Sequence, residues 1–171
     1  LSFLMTRRPP TSTLFPYTTL FRSVAEVEPA IAAAKAAGPA WRSTSLIKRA
    51  DVFFRLRQIL AERTPELAAI VTSEHGKVLS DAAGEVSRGI ENVEFAAGLV
   101  HLLKGERAEQ VSRGVDVHSV KQPVGVVAAI TPWNFPSAML GRKLGPALAA
   151  GCTVVCKPAL QTPFSALALG V

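Results

Sequence analysis

The chain has 171 residues, 49% apolar and 19% charged, which allows one core-forming domain or two small ones and excludes general disorder. The net charge of +6 is uneven: residues 1–23 hold three arginines and no acid, residues 24–116 are nearly balanced, and residues 117–171 hold four bases and no acid. That basic last third suits a phosphate-bearing ligand but lacks the aromatic-interleaved stripe of a nucleic-acid binder, and no apolar run reaches the roughly 18 residues of a membrane span.

Residues 1–23 show no sustained period and are interrupted by three prolines. An arginine-bearing, acid-free start admits a transit peptide. The stretch also resembles a translated sequencing adapter, and we treat it as a non-native or disordered extension, set apart from residues 24–171.

Four helices are expected next. Residues 24–38 are alanine-rich, with Gly38-Pro39 as the stop. Ser45 caps a second helix to about Arg63, with Leu46, Ile47, Ala50, Phe53, Phe54, Leu56, Ile59 and Leu60 as a broad apolar face. Thr64-Pro65 reads as a cap and first-turn proline opening a third helix that ends at Gly76. Ser80 is expected to cap a fourth, ending near Gly105, with Val86, Ile90, Val93, Ala97 and Val100 at helical spacing. Glu85, Arg88 and Glu91 read as a solvated face. His75 and His101 read as helix-end residues, and three scattered histidines offer no metal spacing.

Val111–Val120 alternates valine with polar residues and predicts a half-exposed strand. Val124–Ile130 is an unbroken apolar run, predicted as a strand buried on both faces. Thr131–Pro136 is a proline-flanked loop, Met139–Ala150 a helix stopped by Gly151, and Cys152–Cys156 a second buried strand ended by Lys157-Pro158. A strand, helix and strand of this length form a βαβ crossover. Asn134 and Lys157 then fall on the carboxyl edge of the sheet, where open α/β folds bind ligands. The two cysteines have apolar neighbours and read as buried, inert thiols. Without a secretion signal, the expected compartment is the cytoplasm.

The motifs P-W-N-F-P, R-K, P-A-L-A-A-G-C-T-V-V, K-P-A and T-P-F-S-A-L-A-L, in this order and spacing, resemble the aldehyde dehydrogenase superfamily from about Val24 to the last residue. Up to about Val127, motifs such as E-H-G-K and S-D-A-A-G-E-V resemble the methylmalonate-semialdehyde branch. From about Ala128 the R-K-L-G-P-A-L run resembles the succinate-semialdehyde branch, which makes an assembly chimera a reading to test. The resemblance implies an α/β fold: N-terminal helices and the first strand-helix-strand unit of a Rossmann-like cofactor domain, truncated. It implies Asn134 as oxyanion donor, and Ile130, Thr131, Pro132 and Trp133 as a cofactor wall. It implies Lys157, Pro158 and Ala159 against the cofactor's adenosine ribose or phosphate, and Arg142 against the substrate's distant carboxylate.

The substrate implied is a small carboxylated semialdehyde and the cofactor NAD or NADP. Water or CoA would release the acyl group, in a homo-oligomer of the full-length family member. No nucleic-acid, membrane or metal role is expected. Each residue has a plainer alternative: a loop-capping Asn134, a packed Trp133, a solvated Lys157, a surface Arg142. One position departs from the family pattern, since Leu160 stands where an acid or a small residue is common. The family's catalytic cysteine and glutamate are expected beyond the last residue here. A catalytically inert or associating fragment is therefore the competing reading, and for these 171 residues alone the preferred one.

Overall fold

The computed structural model describes residues 24–169; the extension expected at 1–23 lies outside the described residues. After a short 3-10 turn come four helices: α1 (Val27–Ser43), α2 (Leu46–Glu62), α3 (Thr64–His75) and α4 (Leu79–Gly98). A hairpin follows, β1 (Arg107–Ser112) and β2 (Val115–His118), then β3 (Val126–Ile130), α5 (Ala138–Ala149), β4 (Thr153–Lys157) and α6 (Pro163–Leu169). β1 and β2 pair antiparallel, while β3 and β4 pair parallel without a slip, Val126 opposite Thr153 through Ile130 opposite Lys157. The expected α/β architecture, helices followed by a strand-helix-strand unit, is present.

The main core joins the helices. Phe53 and Leu60 of α2, Leu67 of α3, Val86, Val93, Ala96 and Ala97 of α4, and Leu148 and Ala149 of α5 form one buried cluster. A smaller cluster, Ala129, Leu140, Cys156 and Ala166, sits between the strand pair, α5 and α6. α4 and α5 pass very close to each other at glycines. A Cβ on Gly141 would lie 3.2 Å from the Gly89 carbonyl oxygen, and one on Gly145 would lie 3.0 Å from the Ala96 Cβ.

Several local expectations are corrected. α1 does not stop at Gly38-Pro39 but runs to Ser43 with Pro39 inside. Proline removes one helical hydrogen bond, a cost of about 3 kcal/mol in a helix interior. Trp41 offsets it: its indole N–H donates to the Leu148 carbonyl at 2.9 Å and its ring packs on the main core. Thr64 does not cap α3; it is the first helical residue, and its hydroxyl donates back to the Leu60 carbonyl at 3.0 Å. Ser80 lies inside α4, which starts after Val78 without a side-chain cap and ends at Gly98 rather than near Gly105. Ser45 does cap α2, its hydroxyl accepting from the Lys48 amide at 3.4 Å, and Gly76 closes α3 at φ 84°.

The broad apolar face of α2 is only half used: Ala50, Phe53 and Leu60 are buried, whereas Ile47, Phe54 and Ile59 are exposed. The strand expected at Val111–Val120 is split by a turn at Gly114, and both arms of the hairpin are exposed. β3 is not buried on both faces; only Ala129 is, and Ile130 is 65% exposed. Two strands, covered by α1 and α5, lack the neighbours that would bury a central strand.

Both ends of α5 meet buried charge. At its carboxyl end Arg49 donates to the Ala149 carbonyl at 3.2 Å and to the Arg42 carbonyl at 2.8 Å, with its guanidinium 5.8 Å from the Trp41 ring centroid. Burial lowers the Arg49 pKa from its usual value, partly opposed by Cys152. A cation there complements the helix dipole.

Candidate active site at the carboxyl edge of the strand pair

β3 ends at Ile130, opposite Lys157 at the end of β4, and the Thr131 amide extends the ladder by donating to the Lys157 carbonyl at 3.2 Å. Thr131 is buried, and then the chain leaves the core. Pro132, Trp133, Asn134 and Phe135 are exposed, and Pro136 and Ser137 return to the interior ahead of α5. Two prolines fix φ at either side of the excursion and withhold amide donors, so Pro132 to Asn134 join neither the sheet nor the helix, and the Phe135 carbonyl accepts the Met139 amide at 3.0 Å ahead of α5.

Side chains from α3, α4 and the link between them hold the loop. The Lys77 ammonium donates to the Asn134 backbone carbonyl at 3.2 Å and lies 4.5 Å from the Phe135 ring centroid. It also pairs with the Glu85 carboxylate at 2.5 Å. The second Glu85 oxygen accepts the amides of Ser137 at 2.8 Å and Ala138 at 3.3 Å. The carboxylate thus caps the N-terminus of α5, where Ser137 makes no side-chain cap, and complements the dipole there. The Trp133 ring stacks on His75 with centroids 5.5 Å apart, and the Thr162 hydroxyl donates to the Trp133 carbonyl at 3.5 Å.

Glu85 therefore corrects the expectation of a solvated face: its side chain has no exposed surface, while Arg88 and Glu91 are exposed. It falls three residues after Ala82 and four before Gly89, both buried, so the helical period was the available signal. His75 does end α3, and both its ring nitrogens are buried without a hydrogen-bond partner among the described residues. Glu74, not singled out from the sequence, accepts the Phe164 amide at 2.7 Å and the Ser165 amide at 2.9 Å, and bonds the Ser165 hydroxyl.

Of the expected site residues, Ile130 pairs with the half-buried Lys157 at the strand ends, Thr131, Pro132, Trp133 and Asn134 follow Ile130 into the loop, and Pro158 and Ala159 follow Lys157. Pro158 is buried, and the Ala159 carbonyl accepts the Thr162 amide at 3.3 Å. Leu160 is 69% exposed. Arg142 is exposed on the second turn of α5 and makes no hydrogen bond or ion pair with the others. Cys152 and Cys156 are buried, and burial pushes the Cys156 thiol up to about 12. Such a thiol is neutral at ordinary pH and unsuited to nucleophilic attack.

A model of the aldehyde dehydrogenase family matches residues 11–171. A malonate-semialdehyde dehydrogenase of Pseudomonas aeruginosa is 47% identical over 142 residues, 82% of this chain and 28% of that protein. An NADP(+) succinate-semialdehyde dehydrogenase of Escherichia coli is 46% identical over 144 residues, 84% of this chain and 30% of that protein. Among solved structures, one from Sinorhizobium meliloti named as a methylmalonate-semialdehyde dehydrogenase, complexed with NAD, superposes with a TM-score of 0.84. It is 40% identical and covers 86% of this chain and 30% of that one. The chain thus spans about three tenths of the length of the relatives it matches.

Proposed function

This chain belongs to the aldehyde dehydrogenase family, and we propose that the protein carrying it oxidises a carboxylated semialdehyde of the methylmalonate or succinate type with NAD or NADP. The observation that supports this reading most is the shared edge. The Asn134 loop leaves the end of β3, Lys157 closes β4, and the two strand ends are register partners.

In this reading the exposed Asn134 amide donates to the aldehyde oxygen as it turns negative on addition of a thiol. A donor fixed before the reaction acts where charge develops, and such donors are worth about 10²–10³ in rate. Lys157 and Ala159 would face the ribose or phosphate of the cofactor with the buried Pro158 behind them, and Ile130, Pro132 and Trp133 would form its other wall around the buried Thr131. The donor set suits a dinucleotide: an ammonium for oxygens, an indole for a flat wall. Leu160 leaves one gap, because it offers no oxygen to ribose hydroxyls. A nicotinamide dinucleotide held there would supply the two-electron acceptor for the hydride from the aldehyde carbon. Arg142 offers a fork of donors to the substrate's distant carboxylate. The acyl group leaves to water or CoA.

Neither Cys152 nor Cys156 suits as the thiol of this addition, since both are buried. That burial also favours a second reading, in which the 171-residue chain by itself is catalytically inert or only associates. For the whole protein we propose a cytoplasmic homo-oligomer. Among the described residues no helix is long and apolar enough to cross a membrane.

Thermal melts with NAD and NADP added separately test the cofactor edge. A rise in Tm is expected with one of them, lost in Lys157→Met and kept in Asn134→Ala. No rise with either at millimolar concentration overturns cofactor binding. Turnover of succinate semialdehyde by the purified chain overturns the inert reading.

A further inference from the structure

We propose that Lys77 and Glu85 are positioning residues that set the catalytic competence of Asn134, rather than only stabilising the fold. The proposal rests on the oxyanion role of Asn134 given above. The pair grips the loop at two points: Lys77 holds the Asn134 carbonyl at 3.2 Å, and Glu85 holds the Ser137 and Ala138 amides at 2.8 and 3.3 Å. Between these points lie only Phe135 and Pro136. Proline has a fixed φ, and the Phe135 ring is held 4.5 Å from the same ammonium. A segment anchored at both ends and stiff in the middle leaves the Asn134 backbone little freedom. The Cα–Cβ bond that carries its side-chain donor therefore keeps one direction.

Chemistry explains why the pair is charged. The Lys77 side chain is 13% exposed and the Glu85 side chain fully buried, 2.5 Å apart, an arrangement costly to desolvate. An apolar pair of the same volume would pack as well, but would leave the Asn134 carbonyl and the α5 amides without partners. A single carboxylate and a single ammonium satisfy all three. The loop's catalytic geometry is thereby tied to side chains more than fifty positions earlier in the chain.

The test is a double-mutant cycle in the full-length protein that carries this chain. Asn134→Ala is measured first; if it leaves kcat unchanged, the oxyanion reading fails, and this proposal with it. If Asn134→Ala lowers kcat, Lys77→Met is measured in both backgrounds. Positioning predicts that Lys77→Met lowers kcat roughly ten- to a hundredfold with cofactor KM nearly unchanged, and costs little more in the Asn134→Ala background. An equal fall in both backgrounds, or none in either, overturns the proposal while leaving the oxyanion reading intact. Should Lys77→Met fail to fold, Lys77→Arg takes its place in the same cycle. A guanidinium keeps the charge but does not fit an ammonium's place between carbonyl, carboxylate and ring. Full kcat in a folded Lys77→Arg protein also overturns the proposal.

Discussion

Cys156 shows how a residue's surroundings decide its chemistry. It lies on β4 inside the smaller apolar cluster, and loss of water around the thiolate raises its pKa from 9.0 to about 12. The folded state therefore resists losing this proton, while the unfolded chain loses it near pH 9.0. Stability from this group is fully present below pH 9.0 and drains away as pH rises toward about 12, with a slope approaching about 1.4 kcal/mol per pH unit. Chemical denaturation at pH 8 and pH 10.5 checks this: the stability difference between the parent and Cys156→Ala should shrink at the higher pH. An unchanged difference means the thiol is not buried. Glu85 gives the second prediction at this scale. Glu85→Ala strands a partly buried ammonium and two amides, so it should cost about 3–5 kcal/mol in urea denaturation, whereas Arg88→Ala, on the exposed side of α4, should stay within about 0.5 kcal/mol.

Among the elements, the α4–α5 crossing decides most, because it brings the helical half against the strand unit. Glycine is used there for closeness. Gly145→Ala puts a methyl 3.0 Å from the Ala96 Cβ and 3.3 Å from the Asn92 carbonyl oxygen, and should cost about 1–3 kcal/mol. Gly84, also in α4 but with nothing within 4 Å of where a methyl would sit, should behave oppositely: Gly84→Ala should gain roughly 0.5–1 kcal/mol from helix propensity alone. Equal signs in thermal melts of the two variants would show that α4 and α5 are not in this contact. Whereas the Arg107–His118 hairpin reads from sequence as one strand, the helices and the β3–β4 pair were legible, because period and β-branched runs mark them locally. Their limits were less so. Nothing near Gly38-Pro39 signals that Trp41 will find Leu148, 107 residues on, and carry α1 past a proline. The site divides in the same way. The Asn134 loop and the Lys157 strand end were readable from local motifs, but Lys77 and Glu85 reach that loop across 57 and 52 residues, a separation no local pattern carries.

Over the whole molecule, apolar surface is shared unevenly between inside and outside. Ile47 and Phe54 on α2, Phe95 on α4, Val111 and Val117 on the hairpin, and Val124 and Ile130 around β3 all remain more than half exposed. They lie on α2, α4, the hairpin and β3, so no single small patch accounts for them. Beside them, β3 and β4 form a two-stranded parallel pair, and parallel sheets are normally covered on both faces and built from more strands. Backbone groups on the outer sides of such a pair are open to pairing with another chain. These features together predict that the 171-residue chain, purified by itself, associates as concentration rises rather than staying monomeric. Sedimentation velocity across roughly 1–100 μM should show a sedimentation coefficient climbing with concentration. Replacing Ile130 and Val124 with lysine should lower that climb without lowering helix content, because neither side chain belongs to either main cluster. A single monomer boundary at all concentrations would mean that the exposed valines and isoleucines are tolerated singly, as scattered surface apolar residues are in ordinary monomers.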